Sequence, residues 1–123
     1  MVSSTYANDF RIKKKITLKK DEQKKILVKY GTSERLFKFR WTLYKNSGLV
    51  IHRSYDQIIA QNILYKENKH RYFRLELKSK GSDFYDTPYF LVKFKEFDFK
   101  TKEAVFMLLL SDRKEQIELE FLN

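Results

Sequence analysis

The stretch Arg35-Leu-Phe-Lys-Phe-Arg-Trp-Thr-Leu-Tyr-Lys-Asn-Ser-Gly-Leu-Val-Ile-His-Arg-Ser-Tyr55 reads as a β-hairpin, and it decides the fold class. Phe37, Phe39, Trp41 and Leu43 fall at every second position with Lys38, Arg40 and Thr42 between them. In a strand this spacing puts an aromatic stripe on one face and polar groups on the other. Asn46-Ser47-Gly48 then supplies a three-residue loop whose last residue takes positive φ, a type I turn followed by a bulge. With Lys45 and Leu49 closing that loop, Leu43 is expected opposite Ile51, Trp41 opposite Arg53 and Phe39 opposite Tyr55, all facing inward. Such a hairpin builds a core and carries no catalytic signature.

The 123 residues suffice for one domain with one core. Eleven Phe, eight Tyr and one Trp against three Gly and one Pro describe a chain that folds rather than a disordered one. With no Cys, disulfides, thiolate metal sites, a thiol nucleophile and a lipid-accepting cysteine are excluded within this sequence. No run reaches the roughly 18 to 20 apolar residues of a membrane helix. The net charge of +10 raises nucleic acid, acidic glycan or anionic lipid as partners. Lys, however, far outnumbers Arg, the better residue for bidentate phosphate contacts, which makes nucleic acid an unfavoured partner.

The same period-2 pattern recurs along the chain. Residues 1–8 have no periodicity and read as a loose leader, leaving 9–123 as the domain. Phe10, Ile12, Ile16 and Leu18 share one parity, and Ile26, Val28 and Tyr30 make a second strand. Residues 58–65, Ile-Ile-Ala-Gln-Asn-Ile-Leu-Tyr, are read as a strand because β-branched Ile dominates. Phe73, Leu75 and Leu77 alternate with charged residues. Phe90, Val92 and Phe94 lie on one parity but Phe97 and Phe99 on the other, so a bulge is expected near Lys95 or Glu96. A final hairpin is expected to join residues 103–110 to 115–122 through residues 111–114, with Ile117, Leu119 and Phe121 inward. About nine short strands and no helix make the chain all-β.

An all-β chain disposes of its sheet edges by stacking two sheets or by closing a barrel. Bulky Phe and Leu at inward positions fit a filled interior, and a lone central Trp on the third strand resembles the immunoglobulin arrangement. The paired cysteines and the tyrosine-corner motif of that arrangement are missing. The expected fold is therefore a single-domain antiparallel β-sandwich, immunoglobulin-like, with an up-and-down β-barrel as the alternative. The Ser-Ser-Thr-Tyr-Ala leader, the Lys- and Phe-rich composition and this strand pattern are similar to small bacterial cell-envelope proteins and lipoproteins built on one β-sandwich. The resemblance implies a periplasmic or surface location, a lipid anchor if the native N-terminus was trimmed, and an interaction module of unknown partner. If Met1 is the native start, the location is cytoplasmic.

Candidate sites are few. Residues 9–30 carry nine Lys and Arg against three acidic residues, more than half the net charge. Lys13, Lys15 and Lys19 could form an anion-binding strip, or could belong to a solvated face neutralised by cross-strand pairing with Glu118 and Glu120. The strip lacks the interleaved aromatics of an RNA-binding sheet, which favours the solvated face. Asp83, Phe84, Tyr85 and Asp86 form a candidate partner-binding loop, since apolar aromatics at a loop tip either cover the core or anchor a partner. His52 and His70 have no nucleophile or orienting carboxylate near them in sequence, and two unrelated His make no zinc site. Trp41 opposite Arg53 would form a cation–π contact rather than an exposed sugar platform. The sequence thus points to a non-enzymatic binding or adhesion-type module without cofactor or metal, engaging a protein or glycan and expected to be a monomer. A barrel carrier of an apolar ligand is the alternative, and a basic nucleic-acid or anionic-lipid binder the third reading.

Overall fold

The computed structural model describes residues 10–66, 71–77, 87–113 and 116–122. They form nine strands: β1 (Phe10–Lys19), β2 (Lys24–Tyr30), β3 (Ser33–Lys45), β4 (Gly48–Tyr55), β5 (Ile58–Tyr65), β6 (Tyr72–Glu76), β7 (Tyr89–Asp98), β8 (Glu103–Ser111) and β9 (Glu118–Phe121). One sheet has the order β1-β8-β7-β6 and the other β5-β4-β3-β2-β9, with every neighbouring pair antiparallel. The sheets face each other and do not close on themselves, so the fold is a β-sandwich and the barrel alternative falls. Strand order within it is not that of immunoglobulin constant domains, where the first two strands are neighbours. Here β1 lies beside β8, while β2 lies between β3 and β9.

Alternation decides what is inside. Phe37, Phe39 and Trp41 of β3 are buried, as are Phe90, Val92 and Phe94 of β7 and Ala104, Phe106, Leu108 and Leu110 of β8. Across the interface the Phe37 ring sits 5.4 Å from Phe90, and Phe39 meets Phe106 edge-on at 5.3 Å. Ring pairs in these geometries add about 0.5–1.5 kcal/mol each beyond the area they bury. The interior is filled by side chains, as the bulky inward residues imply.

The β3–β4 hairpin differs from the expected register. Its loop has two residues, Asn46 and Ser47, both at positive φ (53° and 68°), and Lys45 pairs with Gly48. This is the mirror-image turn whose twist matches that of the strands. Gly48 is instead required by space: a Cβ there would lie 3.0 Å from the Tyr65 ring and 3.1 Å from Ile63 Cγ2. A register shift between Trp41 and Leu43 then inserts one residue into β3. Trp41 consequently faces Ile51, Phe39 faces Arg53 and Phe37 faces Tyr55. The inserted residue flips the side-chain phase, so Leu43 is exposed and Tyr44 turns inward. The expected bulge in β7 is present, as a shift between Phe94 and Glu96, and turns Phe97 inward in the same way.

The final hairpin does not form. β8 ends in the four-stranded sheet and β9 begins in the five-stranded one. The crossing is held by Asp112, whose carboxylate is buried and accepts hydrogen bonds from Arg11 Nη1 (2.8 Å), the Ile117 amide (2.8 Å) and the Gln116 amide (3.1 Å). Arg11 also donates to the Ile117 carbonyl at 2.6 Å. These donors satisfy an acceptor-only carboxylate whose burial would otherwise be costly. Ile117 is buried, and Leu119 and Phe121 pack against the core. Two more hydrogen bonds join the sheets: the Trp41 indole donates to the Leu18 carbonyl (2.8 Å), and the Tyr55 hydroxyl to the Leu77 carbonyl (2.6 Å).

Candidate binding site

The two bulges have a joint consequence at one end of the sandwich. Each shifts its strand by one residue at a corresponding height, and the shifted side chains Tyr44 and Phe97 stack across the two sheets at 4.2 Å and 12°. Trp41 lies beneath, edge-on to Phe97 at 5.5 Å. Phe99 stands against Phe97 at 5.1 Å and Tyr44 at 5.9 Å, yet 66% of it remains exposed. Beside it Leu43 is also exposed, and the group lines a depression of about 370 Å³ together with Lys20 and Lys102.

Charge at this end is mixed, with lysines in excess. Lys20, Lys45, Lys100 and Lys102 are exposed, and none forms an ion pair among the described residues. The carboxylates of the adjoining turns have local donors: Asp21 meets Arg40 (3.2 Å), whereas Glu22 accepts from the Lys19 amide (2.8 Å) and Asp98 from the amides of Lys100 (2.9 Å) and Thr101 (3.3 Å), and both keep their charge. The Asp21 amide in turn donates to the Trp41 carbonyl at 2.8 Å, which fixes the β1–β2 turn beside the aromatic group. The result is a recessed aromatic platform bordered by Lys20 and Lys102. Large, stiff aromatic side chains that are already ordered lose little entropy on binding.

A second concavity, of about 380 Å³, opens between the sheets at the β4, β5 and β6 edge and is lined by Arg35, Arg53, Tyr55, Asp56, Ile58, Ala60, Leu75 and Glu76. Its charges are met internally. Arg35 pairs with Asp56 at 3.3 Å, Glu76 with Arg74 at 3.7 Å, and Arg53 donates to Asn62 Oδ1 at 2.7 Å while lying over the Phe73 ring at 4.5 Å. Burial lowers the pKa of Arg53, and burial raises that of Tyr55 well above the ordinary tyrosine value. This region is a stapled edge of the core.

The residues singled out in the sequence are distributed differently. Lys13, Lys15 and Lys19 lie exposed on β1, at the edge of the four-stranded sheet, whereas Lys24, Lys25 and Lys29 belong to β2 in the other sheet. The basic segment is therefore divided between two sheets, while Lys13, Lys15 and Lys19 of the candidate strip share one edge strand. Lys29 pairs with Glu120 at 2.9 Å, and that hydrogen bond raises its pKa. Lys14 and Lys24 both reach the Phe121 ring, at 4.9 and 5.8 Å. Asp83, Phe84, Tyr85, Asp86, His70 and the leader lie outside the described residues. His52 sits between Arg40 and Gln61 in the ladder. Trp41 is buried and cannot serve as a platform, and Arg53 stacks on Phe73 rather than Trp41. Among the described residues no group of three His, Cys, Asp or Glu is placed to hold a metal ion.

The sequence reading passed over Tyr44, Phe99 and Lys102. One signal for them was present, the parity change between Phe94 and Phe97. The matching change in β3 was hidden, because Leu43 continues the apolar alternation across the bulge. No protein-family model, curated protein or solved structure matches the chain.

Proposed function

We propose that the chain is a non-enzymatic binding module that seats an apolar side chain of a partner protein, flanked by acidic residues, on the Tyr44–Phe97 platform. One observation carries the reading: a stacked aromatic pair, with Phe99 and Leu43 exposed beside it, lies in a depression bordered by Lys20 and Lys102, which form no ion pair among the described residues. The recess fits an inserted side chain, and the lysines steer an acidic segment toward it. An anionic membrane shares the charge but would be met by a protruding wedge rather than a depression.

The test is selection from a random peptide library on the immobilised chain, followed by calorimetric titration of the enriched peptides. Enriched sequences should carry an aromatic or aliphatic residue beside Asp or Glu. Phe99→Ala and Tyr44→Ala should each weaken binding by about tenfold or more. Lys20→Gln/Lys102→Gln should flatten the salt dependence. Enrichment without that pattern, or binding indifferent to both aromatic truncations, overturns the proposal. Co-flotation with phosphatidylglycerol vesicles that requires Phe99 while no peptide binds assigns the platform to a membrane instead.

A further inference from the structure

Among the described residues the sandwich has four edge strands, β1, β6, β5 and β9, and three of them are guarded against pairing with another strand. β1 carries Arg11, Lys13, Lys14, Lys15 and Lys19 and a register shift after Phe10. β6 is five residues long with Arg74 and Glu76, and β9 four residues long with Glu118 and Glu120. Charge, shortness and bulges are the usual means of blunting a sheet edge. β5 has none of them. Its eight residues, Ile-Ile-Ala-Gln-Asn-Ile-Leu-Tyr, contain no charge and no Pro, and its pairing with β4 runs without a shift from Gly48–Tyr65 to Tyr55–Ile58. Ile59 is 79% exposed, Ile58 74% and Ile63 49%. In a chain with 34% charged residues, an uncharged, flat edge bearing three exposed Ile is the exception to be explained.

The direction of its free backbone groups follows from the β4–β5 turn. The loop has two residues, Asp56 and Gln57, both at positive φ, so the closing pair Tyr55 and Ile58 exchanges hydrogen bonds. Alternate residues Ile58, Ala60, Asn62 and Leu64 therefore bond to β4, and Ile59, Gln61 and Ile63 turn their N–H and C=O groups to the edge that no described strand pairs with. Ile59 and Ile63 are symmetric about Gln61.

We infer that β5 is the contact through which two copies of this chain pair, antiparallel about a two-fold axis at Gln61, to join their five-stranded sheets. In this register Gln61 meets the same residue of the second copy, and Ile59 of each copy meets Ile63 of the other. The two isoleucines that are exposed in one chain thus cover each other in the pair. A second copy is the occupant that the symmetry of the pattern supports, since Ile59 and Ile63 flank Gln61 equally on an uncharged strand. Two chains of net charge +10 repel elsewhere, and β5 is the edge along which they meet with no like charges opposed.

The test is sedimentation velocity on the full chain from micromolar to near-millimolar concentration. The wild type should pass from monomer to dimer and stop there, because a two-fold contact closes. Ile59→Lys/Ile63→Lys opposes like charges twice in the proposed register and should weaken the dimer by about tenfold or more. Ile59→Lys/Ile63→Glu opposes unlike charges in the same register and should restore it. Both substituted positions are exposed, and an unchanged thermal midpoint in each variant confirms that folding is intact. The cysteine-free background adds a second reading: Gln61→Cys should oxidise to a disulfide-linked dimer, whereas Thr17→Cys on β1 should not. A monomer at every concentration, assembly beyond the dimer, or a dimer indifferent to both charge variants overturns the inference.

Discussion

Asp112→Ala should be among the most destabilising single substitutions at a polar position of this chain. The side chain is fully buried and accepts three hydrogen bonds, from Arg11 and from the amides of Gln116 and Ile117, so its removal leaves two amides without their acceptor and a guanidinium without its counter-ion. Breaking a buried pair from one side costs about 3–5 kcal/mol. Arg11 keeps 34% of its side-chain surface in water and can rehydrate, which places the expected loss at the low end, about 3 kcal/mol. For a domain of this size that corresponds to a fall in Tm of about 10 °C. Asp112→Asn preserves the volume and one acceptor but loses the charge, and should cost about 2 kcal/mol. Arg11→Met leaves the fully buried Asp112 carboxylate without its counter-ion, though with its two amide donors, and should cost about 3 kcal/mol. Urea denaturation of the single variants and of Arg11→Met/Asp112→Ala closes a double-mutant cycle, whose coupling energy reports the pair. If Asp112→Ala lost less than about 0.5 kcal/mol, the β8–β9 crossing would not depend on this carboxylate and the argument would fail.

Further outcomes follow from single contacts. Gly48→Ala should destabilise by about 1–2 kcal/mol in the same assay, because the added methyl meets the Tyr65 ring and Ile63 closer than side chains ordinarily pack. Tyr55→Phe strips the Leu77 carbonyl of its donor and should cost about 1–2 kcal/mol near neutral pH. The same residue sets an alkaline limit: burial raises the folded-state pKa of Tyr55 above the ordinary value of 10.0, so the unfolded chain loses this proton first. Stability from this phenol is complete below pH 10.0 and declines as the pH rises above it, a decline that Tyr55→Phe should remove in thermal melts taken across that range. Phe99→Ala should change stability by less than about 0.5 kcal/mol whereas Phe97→Ala costs about 2–3 kcal/mol, a contrast that separates the displayed part of the platform from the part that belongs to the core.

Most of the strands are legible because period-2 alternation is a local property: Phe37, Phe39 and Trp41, or Phe90, Val92 and Phe94, announce a buried face without reference to any other part of the chain. The β7 bulge is legible for the same reason, since Phe97 breaks the parity of the residues before it. The β3 bulge is not. Leu43 keeps the apolar rhythm, and only pairing with β4 and contact with Phe97 make Tyr44 the inward residue. The platform therefore escapes a sequence reading, as it joins residues from three turns that local pattern cannot bring together.

Composition and alternation by themselves determine that the chain is all-β, that its interior is aromatic and filled, and that its surface is cationic. Which strands share a sheet is decided by tertiary structure alone. Residues 103–122 look like a hairpin because both segments alternate, but alternation says which face is buried and nothing about the neighbour. The buried Asp112 with its donors from Arg11, Gln116 and Ile117 settles the choice, sending β9 across to pair with β2, and no local signal in the sequence distinguishes that carboxylate from one in a solvated turn.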